Sequence, residues 1–222
     1  MSQISACLNK VKKPCYRFIS TQEISSEKFK NKDKMLRSFL IPVCFWMAKK
    51  VKKNKTMIVG LSGGQGTGKT TISSIIKIIL EKYFKLNVFK ISIDDFYKTR
   101  KERIILSKKV HPLLKTRGVP GTHDIDMMLN LFRKVKAKKL KSLSLPKFDK
   151  SIDDRLSKNK WYKVKSKPDI VIFEGWCVGA KSQSTKQLTK PINSLERYND
   201  KSMKWRKYVN LNLKNKYKKF HS

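Results

Sequence analysis

Acidic residues are scarce in this 222-residue chain: 16 Asp and Glu stand against 53 Lys and Arg, for a formal net charge of +37. Arginine is scarce too, at nine of those 53. Base readout and bidentate phosphate contacts draw on arginine. Lysine is instead spread through every segment, among many Ile and Asn, which reads as a chain-wide compositional bias. A dedicated nucleic-acid role is therefore set aside. The cysteines, Cys7, Cys15, Cys44 and Cys177, form no C-x-x-C pair. Nor do they stand at zinc-like spacing from His111, His123 or His221, so inert thiols in a reducing compartment are expected. No apolar run is long. The longest, "FLIPVCFWMA" at 39–48, is interrupted by Pro42 and too short to span a bilayer. No signal-peptide core precedes it, and a cytoplasmic location without a membrane partner is expected. The basic, Ser-containing first 20 residues keep an organellar transit peptide as the alternative, with Glu23 and Glu27 against it. Glycine numbers only nine, yet five of the nine fall between 60 and 68.

That concentration is the sharpest feature present. In "GLSGGQGTGKTT", Gly60 to Thr71, only Leu61 is a sizeable apolar side chain. The apolar "TMIVG" ahead of it fits a buried strand. In "TISSIIKIILEKYF" behind it, Ile72, Ile75, Ile76, Ile79, Leu80 and Tyr83 share one face at helical spacing. Strand, loop and helix in that order make the G-x-x-x-x-G-K-[ST] pattern of Gly63 to Thr70 a phosphate cradle. Glycine lets consecutive amides turn toward one centre, and the helix start adds its positive end. Gly63, Gly64, Gln65, Gly66, Thr67, Gly68, Lys69, Thr70 and Thr71 are the candidate nucleotide contacts. Lys69 supplies the full charge, and the Thr70 hydroxyl is a magnesium ligand.

Length and a 39% hydrophobic share suffice for one good-sized domain and an appendage. Residues 1–35 carry no clear periodicity and read as partly disordered; 36–50 read as helical. Together 1–56 form an N-terminal extension. From 57, buried strands at 87–93 and 169–173 alternate with helical patterns, and Ile125, Met128, Leu129, Phe132 and Val135 mark one such helix. The Lys- and Arg-rich stretch before His111 and the segment 181–192 read as loops, and the C-terminal tail as helical. The fold class is α/β, a parallel sheet flanked by helices.

Ligands of open α/β sheets sit beyond the carboxyl ends of the strands. The phosphate loop, Asp94–Asp95 and Glu174 each follow a strand, so 60–71, 94–97 and 174–175 are expected to share a cleft. Phosphoryl transfer asks for a base, and Asp94 or Asp95 qualifies. Glu174 can hold magnesium or its water. "RGVPGTHD" combines turn residues with polar groups, as a substrate-facing loop would. No residue stands at a spacing that would pair with His123 on a metal.

Five motifs in order, "GLSGGQGTGKTT", "SIDDFYKT", "HPLLKTRGVPGTHD", "PKFDKSIDDR" and "DIVIFEGWCVG", resemble the D-glycerate 3-kinase family of plant and fungal type. That family is related to phosphoribulokinase, uridine kinase and bacterial pantothenate kinase. The resemblance covers roughly 36–210. It implies the P-loop kinase fold for 57–222, with ATP and Mg2+ as cofactors and a small-molecule hydroxyl, that of D-glycerate, as acceptor. It selects Asp94 over Asp95 as base. Arg117, His123 and Asp124 resemble the family's substrate loop, and Lys150 and Arg155 its basic groups near substrate or the transferred phosphate. Family members continue past the "WRKYVNLNLKNKYKKF" segment, so the resemblance implies a domain incomplete at its C-terminus. A kinase of pantothenate, uridine or a sugar phosphate, or a truncated ATP-binding protein without turnover, are the alternatives.

Overall fold

The computed structural model describes residues 2–24, 26, 28–137, 140, 143–164 and 166–220. Glu27 and His221, weighed above, lie outside them. The helices are α1 (Gln3–Ser20), α2 (Lys32–Met35), α3 (Ile41–Lys50), α4 (Lys69–Lys82), α5 (Arg100–Lys109), α6 (Ile125–Lys136), α7 (Thr185–Thr189), α8 (Ser194–Asn199) and α9 (Lys204–Asn215). The strands are β1 (Met57–Ser62), β2 (Val88–Ser92), β3 (Leu143–Leu145), β4 (Phe148–Asp149), β5 (Asp154–Arg155), β6 (Tyr162–Val164) and β7 (Ile170–Gly175). Two compact units emerge. Unit 1 comprises Met1–Ile91, Val135–Leu140 and Ser166–Trp176, and unit 2 comprises Ser92–Lys134, Lys141–Lys165 and Cys177–Ser222.

Unit 1 carries a three-stranded sheet in the order β1-β7-β2. β1 and β7 run parallel, Met57 beside Ile170 through Ser62 beside Gly175. All six residues of β7 are buried, as expected of a central parallel strand. The Asp169 carboxylate accepts from the Asn87 amide at 2.8 Å, which fixes where β2 and β7 begin.

The helical side of this unit corrects the sequence reading of 1–35. An 18-residue helix, α1, fills most of it, with Ser2 accepting the Ser5 amide at its start. Its buried face is Cys7, Leu8, Val11, Cys15 and Ile19, packed with α3, α4 and the sheet in one core. In a protein most of a helix's stability comes from packing its apolar face rather than from propensity. Burial of Leu8, Val11 and Ile19, about 1.5–3 kcal/mol each, decides that it forms. Three of the four cysteines lie in this core, and burial raises the Cys7 thiol to about 11 and the Cys15 thiol to about 12, so both stay protonated and inert. Ahead of α3, Leu36–Leu40 form a π-helical turn, and the Ile41 amide reaches back five residues to Leu36. Pro42 follows at once; it has no amide to give and its ring needs room on the preceding turn, which widens.

Unit 2 holds the two-stranded pairs β3–β6 and β4–β5 and helices α5 to α9. Here two readings are corrected. The Lys- and Arg-rich stretch before His111 is α5, not a loop. Its start is a reciprocal capping box in which Thr99 accepts the Glu102 amide and Glu102 accepts the Thr99 amide. Within 181–192 the short helix α7 begins at a second such box, Ser184 with Gln187. The helical tail is built of two helices. Asp200 ends α8, Met203 turns left-handed at φ 59°, and the Asp200 carboxylate caps the amides of Trp205 and Arg206.

α9 and the turn after it press on the loop between Arg117 and Asp124. Gly121, at φ +101°, is needed twice over. Its conformation disfavours any side chain, and an added Cβ would stand 2.5 Å from the Tyr208 ring. Gly121→Ala is expected to destabilise the protein by about 2 kcal/mol or more. For a chain of this size that lowers Tm by about 4–8 °C. A thermal melt within 1 °C of wild type would show that the loop shifts freely.

Candidate active site

In unit 1 the cradle takes its shape from Gly66 and Gly68, both left-handed at φ 77° and 78°. A Cβ on Gly63 would lie 2.9 Å from Thr67 Oγ1, so the floor of the loop admits glycine alone. Thr67 Oγ1 donates to Gly64 O at 2.8 Å, closing the turn. α4 starts at Lys69 without a side-chain cap, and the Ile72 amide is the first to reach back, to Gly68 O at 2.9 Å. The amides of Lys69, Thr70 and Thr71 thus lack an intrahelical acceptor, which suits an anion. Lys69 Nζ lies 2.5 Å from Gly64 O, folded over the loop it serves. The Thr70 hydroxyl points at both oxygens of Glu174, at 3.0 and 3.2 Å. Glu174 is buried near the end of β7, opposite Leu61 of β1.

A hydroxyl and one carboxylate are the hard oxygen donors that magnesium takes from a protein when phosphates and waters complete its shell. The donor set therefore fits ATP with magnesium. Among the described residues no cluster of three His, Cys, Asp or Glu could hold a metal by itself. Lys90 of β2 was not singled out by sequence reasoning. Its Nζ reaches Thr70 O at 3.2 Å and also contacts Ser74 Oγ, placing a second cation at the first turn of α4.

In unit 2 the two aspartates after β2 part company. Asp94 has its amide on Ser92 Oγ, its carboxylate on Lys150 Nζ at 2.8 Å, and its carbonyl on the Tyr97 amide at 3.3 Å. Asp95 is turned inward, accepting from the Phe148 amide at 3.2 Å and pairing with Lys147 at 3.4 Å. Burial, the largest influence on it, raises its pKa above the ordinary carboxylate value. One aspartate is thus held at the surface in a charged pair while the other anchors β4.

The remaining residues named from the sequence are gathered in the same unit. Arg117 is paired with Asp153 and lies 5.6 Å above the Phe148 ring. Arg155 bridges two helix starts: it meets Asp124 at 3.2 Å and Glu102 at 3.4 Å. Asp124 accepts the Met127 amide at the head of α6. Sequence reasoning missed the residue that holds this group together. Arg103 is fully buried and donates to the carbonyls of Lys98, Lys115 and Asp153 at 3.1, 2.8 and 2.6 Å. It also pairs with the Asp153 carboxylate at 3.0 Å.

His123 departs from the expectation of a substrate contact. The ring is 2% exposed, stacked 4.3 Å from Tyr97, with Nδ1 2.6 Å from Tyr217 Oη. Desolvation lowers its pKa from 6.5 to about 3, so it is neutral wherever the protein is folded near pH 7. A base depressed in the folded state contributes fully above the unfolded value and loses that contribution as pH falls toward the folded value. Between pH 7 and 5 the wild type should therefore lose about 2 kcal/mol more stability than His123→Phe. Urea unfolding at both pH values checks this. Equal losses would mean that the ring takes up its proton while folded.

The fold and the loop define the class, a P-loop kinase domain with a parallel sheet flanked by helices. The chain is similar to proteins named D-glycerate 3-kinase and to other small-molecule kinases. It is 29% identical to the chloroplastic D-glycerate 3-kinase of Arabidopsis thaliana over 200 residues, 78% of this chain and 43% of that protein. It is 37% identical to the uncharacterized kinase mug58 of Schizosaccharomyces pombe over 134 residues, 57% of this chain and 48% of that one. Among solved structures, D-glycerate 3-kinase from Cryptococcus neoformans superposes with a TM-score of 0.60 at 26% identity, covering 79% of this chain and 65% of that one. The chain spans about half the length of the curated relatives it matches. No protein-family model matches it. Among the described residues no helix is long and apolar enough to cross a membrane.

Proposed function

We propose that the protein transfers the γ-phosphoryl group of ATP to a hydroxyl of a small acid, with D-glycerate as the substrate. The observation that carries the nucleotide half is the Thr70 hydroxyl aimed at both oxygens of Glu174 at the start of α4. In this reading, the amides from Gly63 to Thr71 and Lys69 hold the phosphates. Thr70 and Glu174 hold the magnesium, which neutralises charge on the phosphate oxygens when bound. Asp94 accepts the proton of the attacking hydroxyl, Lys150 keeps that carboxylate oriented, and Arg117 and Arg155 meet the acceptor's anion.

The acceptor half rests on chemistry. Arg117 and Arg155 each pair with a carboxylate of the protein. A substrate carboxylate can replace such a partner at little electrostatic cost, because charge-assisted bonds are exchanged for bonds of the same kind. Glycerate combines that carboxylate with a primary hydroxyl, and relatives named for D-glycerate support the choice.

The test is ADP release with D-glycerate, other hydroxy acids, pantothenate, uridine and ribulose 5-phosphate offered in turn. The expected result is turnover with D-glycerate above all others. Preference for another acceptor corrects the substrate. Nucleotide binding without ADP release from any of them overturns the enzymatic reading and leaves a nucleotide-binding protein.

A further inference from the structure

We propose that Tyr217, far down the chain from every motif, is a positioning residue for Asp94 and acts through the loop 117–124. The catalytic meaning rests on the phosphotransfer reading, but the geometry stands within unit 2 alone. Tyr217 is 1% exposed, and its Oη accepts the Gly121 amide at 3.2 Å and meets His123 Nδ1 at 2.6 Å. Hydrogen counting fixes the direction of the second bond. With the Gly121 N–H already given to Oη, the phenol proton goes to Nδ1, and only the Nε2–H is left without a partner. The reverse assignment strands both the phenol proton and the Nε2 lone pair. The imidazole is therefore the Nε2–H tautomer, oriented by Tyr217.

His123 in turn reaches the segment that bears the base. Its ring lies nearly flat on Tyr97, at 22°. On either side of it the backbone is laced to that segment, Lys98 N to Thr122 O at 2.8 Å and Asp124 N to Phe96 O at 2.7 Å. The Tyr97 amide donates to the Asp94 carbonyl at 3.3 Å. A shift of the loop thus moves residues 96–98, and with them the Asp94 backbone that carries the carboxylate. Tyr208, 3.5 Å from Gly121 O, clamps the same glycine from α9. The links from Tyr217 to residues 96–98 run through uncharged groups, so they are not weakened by salt as surface pairs are.

Hydrogen exchange on the whole chain tests this, comparing wild type, Tyr217→Phe, His123→Phe and the double variant. Each substitution keeps an aromatic ring in place, so the fold is preserved. In Tyr217→Phe the amides of 96–98 and 121–124 are expected to exchange at least about tenfold faster, with 69–82 unchanged. In the His123→Phe background, removing the Tyr217 hydroxyl should add much less at 96–98, since the path already lacks its middle member. With turnover measured alongside, kcat should fall about tenfold to a hundredfold in Tyr217→Phe while the KM for ATP stays put. Unaltered exchange at 96–98, a rise that extends equally through 69–82, or full additivity in the double variant would each overturn the proposal. If the wild type turns over no acceptor, the phosphotransfer reading fails, and exchange still decides the role of Tyr217.

Discussion

Asp94→Asn is expected to lower kcat about 10²–10⁴-fold with ATP affinity nearly unchanged. The substitution keeps the shape of the side chain and removes its ability to take a proton. Lys150 would lose a charged partner at 2.8 Å, but both side chains are partly exposed, at 29% and 61%, so the stability change is small. Asp95→Asn should invert that pattern. An amide oxygen can still accept the Phe148 N–H at 3.2 Å, while the pairing with Lys147 at 3.4 Å is lost. Its effect belongs in the melting temperature more than in kcat. Measured side by side, kcat and Tm for the two variants separate the roles. If Asp95→Asn is the inactive one and Asp94→Asn is not, the base is Asp95; if neither changes kcat, a carboxylate base is not part of the mechanism and positioning with magnesium remains.

How far the sequence discloses this arrangement depends on how local each signal is. The cradle is local: its glycines, Lys69 and Thr70 lie within eight residues, and the apolar stripe of α4 follows directly. The parallel sheet was legible for a similar reason, since each strand is a short apolar run ending in polar residues. α5 was not, because ten residues so rich in Lys and Arg look like a solvated loop. Its one signal was the box from Thr99 to Glu102, a local feature that charge content hides. α1 escaped because two of its five buried positions are cysteines, which carry little weight in an apolar pattern. Burial at long range is the harder case. Arg103 is one of 53 cations, and only the carbonyls of Lys98, Lys115 and Asp153 that it meets in the fold distinguish it. His123 reads as a substrate contact from its place in the RGVPGTHD loop; its burial is not legible because its partner Tyr217 stands 94 residues away, and no spacing rule connects them.

Lys69→Ala is expected to have the other large effect, a loss of turnover of about 10²–10³-fold or more together with weaker nucleotide binding. Removing a single preorganised electrostatic group from a transition state costs about that much. Lys69 is the one full positive charge within Gly63–Thr71, and the amides around it contribute only partial charges. Its Nζ contacts Gly64 O at 2.5 Å, so in the free protein the side chain spans the loop without entering the core. Stability should therefore move by less than about 0.5 kcal/mol, and an unchanged melt alongside lost turnover separates chemistry from folding. Lys69→Arg should not rescue activity, because a planar guanidinium presents its donors differently from a compact ammonium. Lys90 sits at the first turn of α4, where its cation touches Thr70 O at 3.2 Å, but its side chain is committed there. It is not expected to replace Lys69. Wild-type turnover in Lys69→Ala would remove the phosphate-loop assignment on which the kinase reading depends.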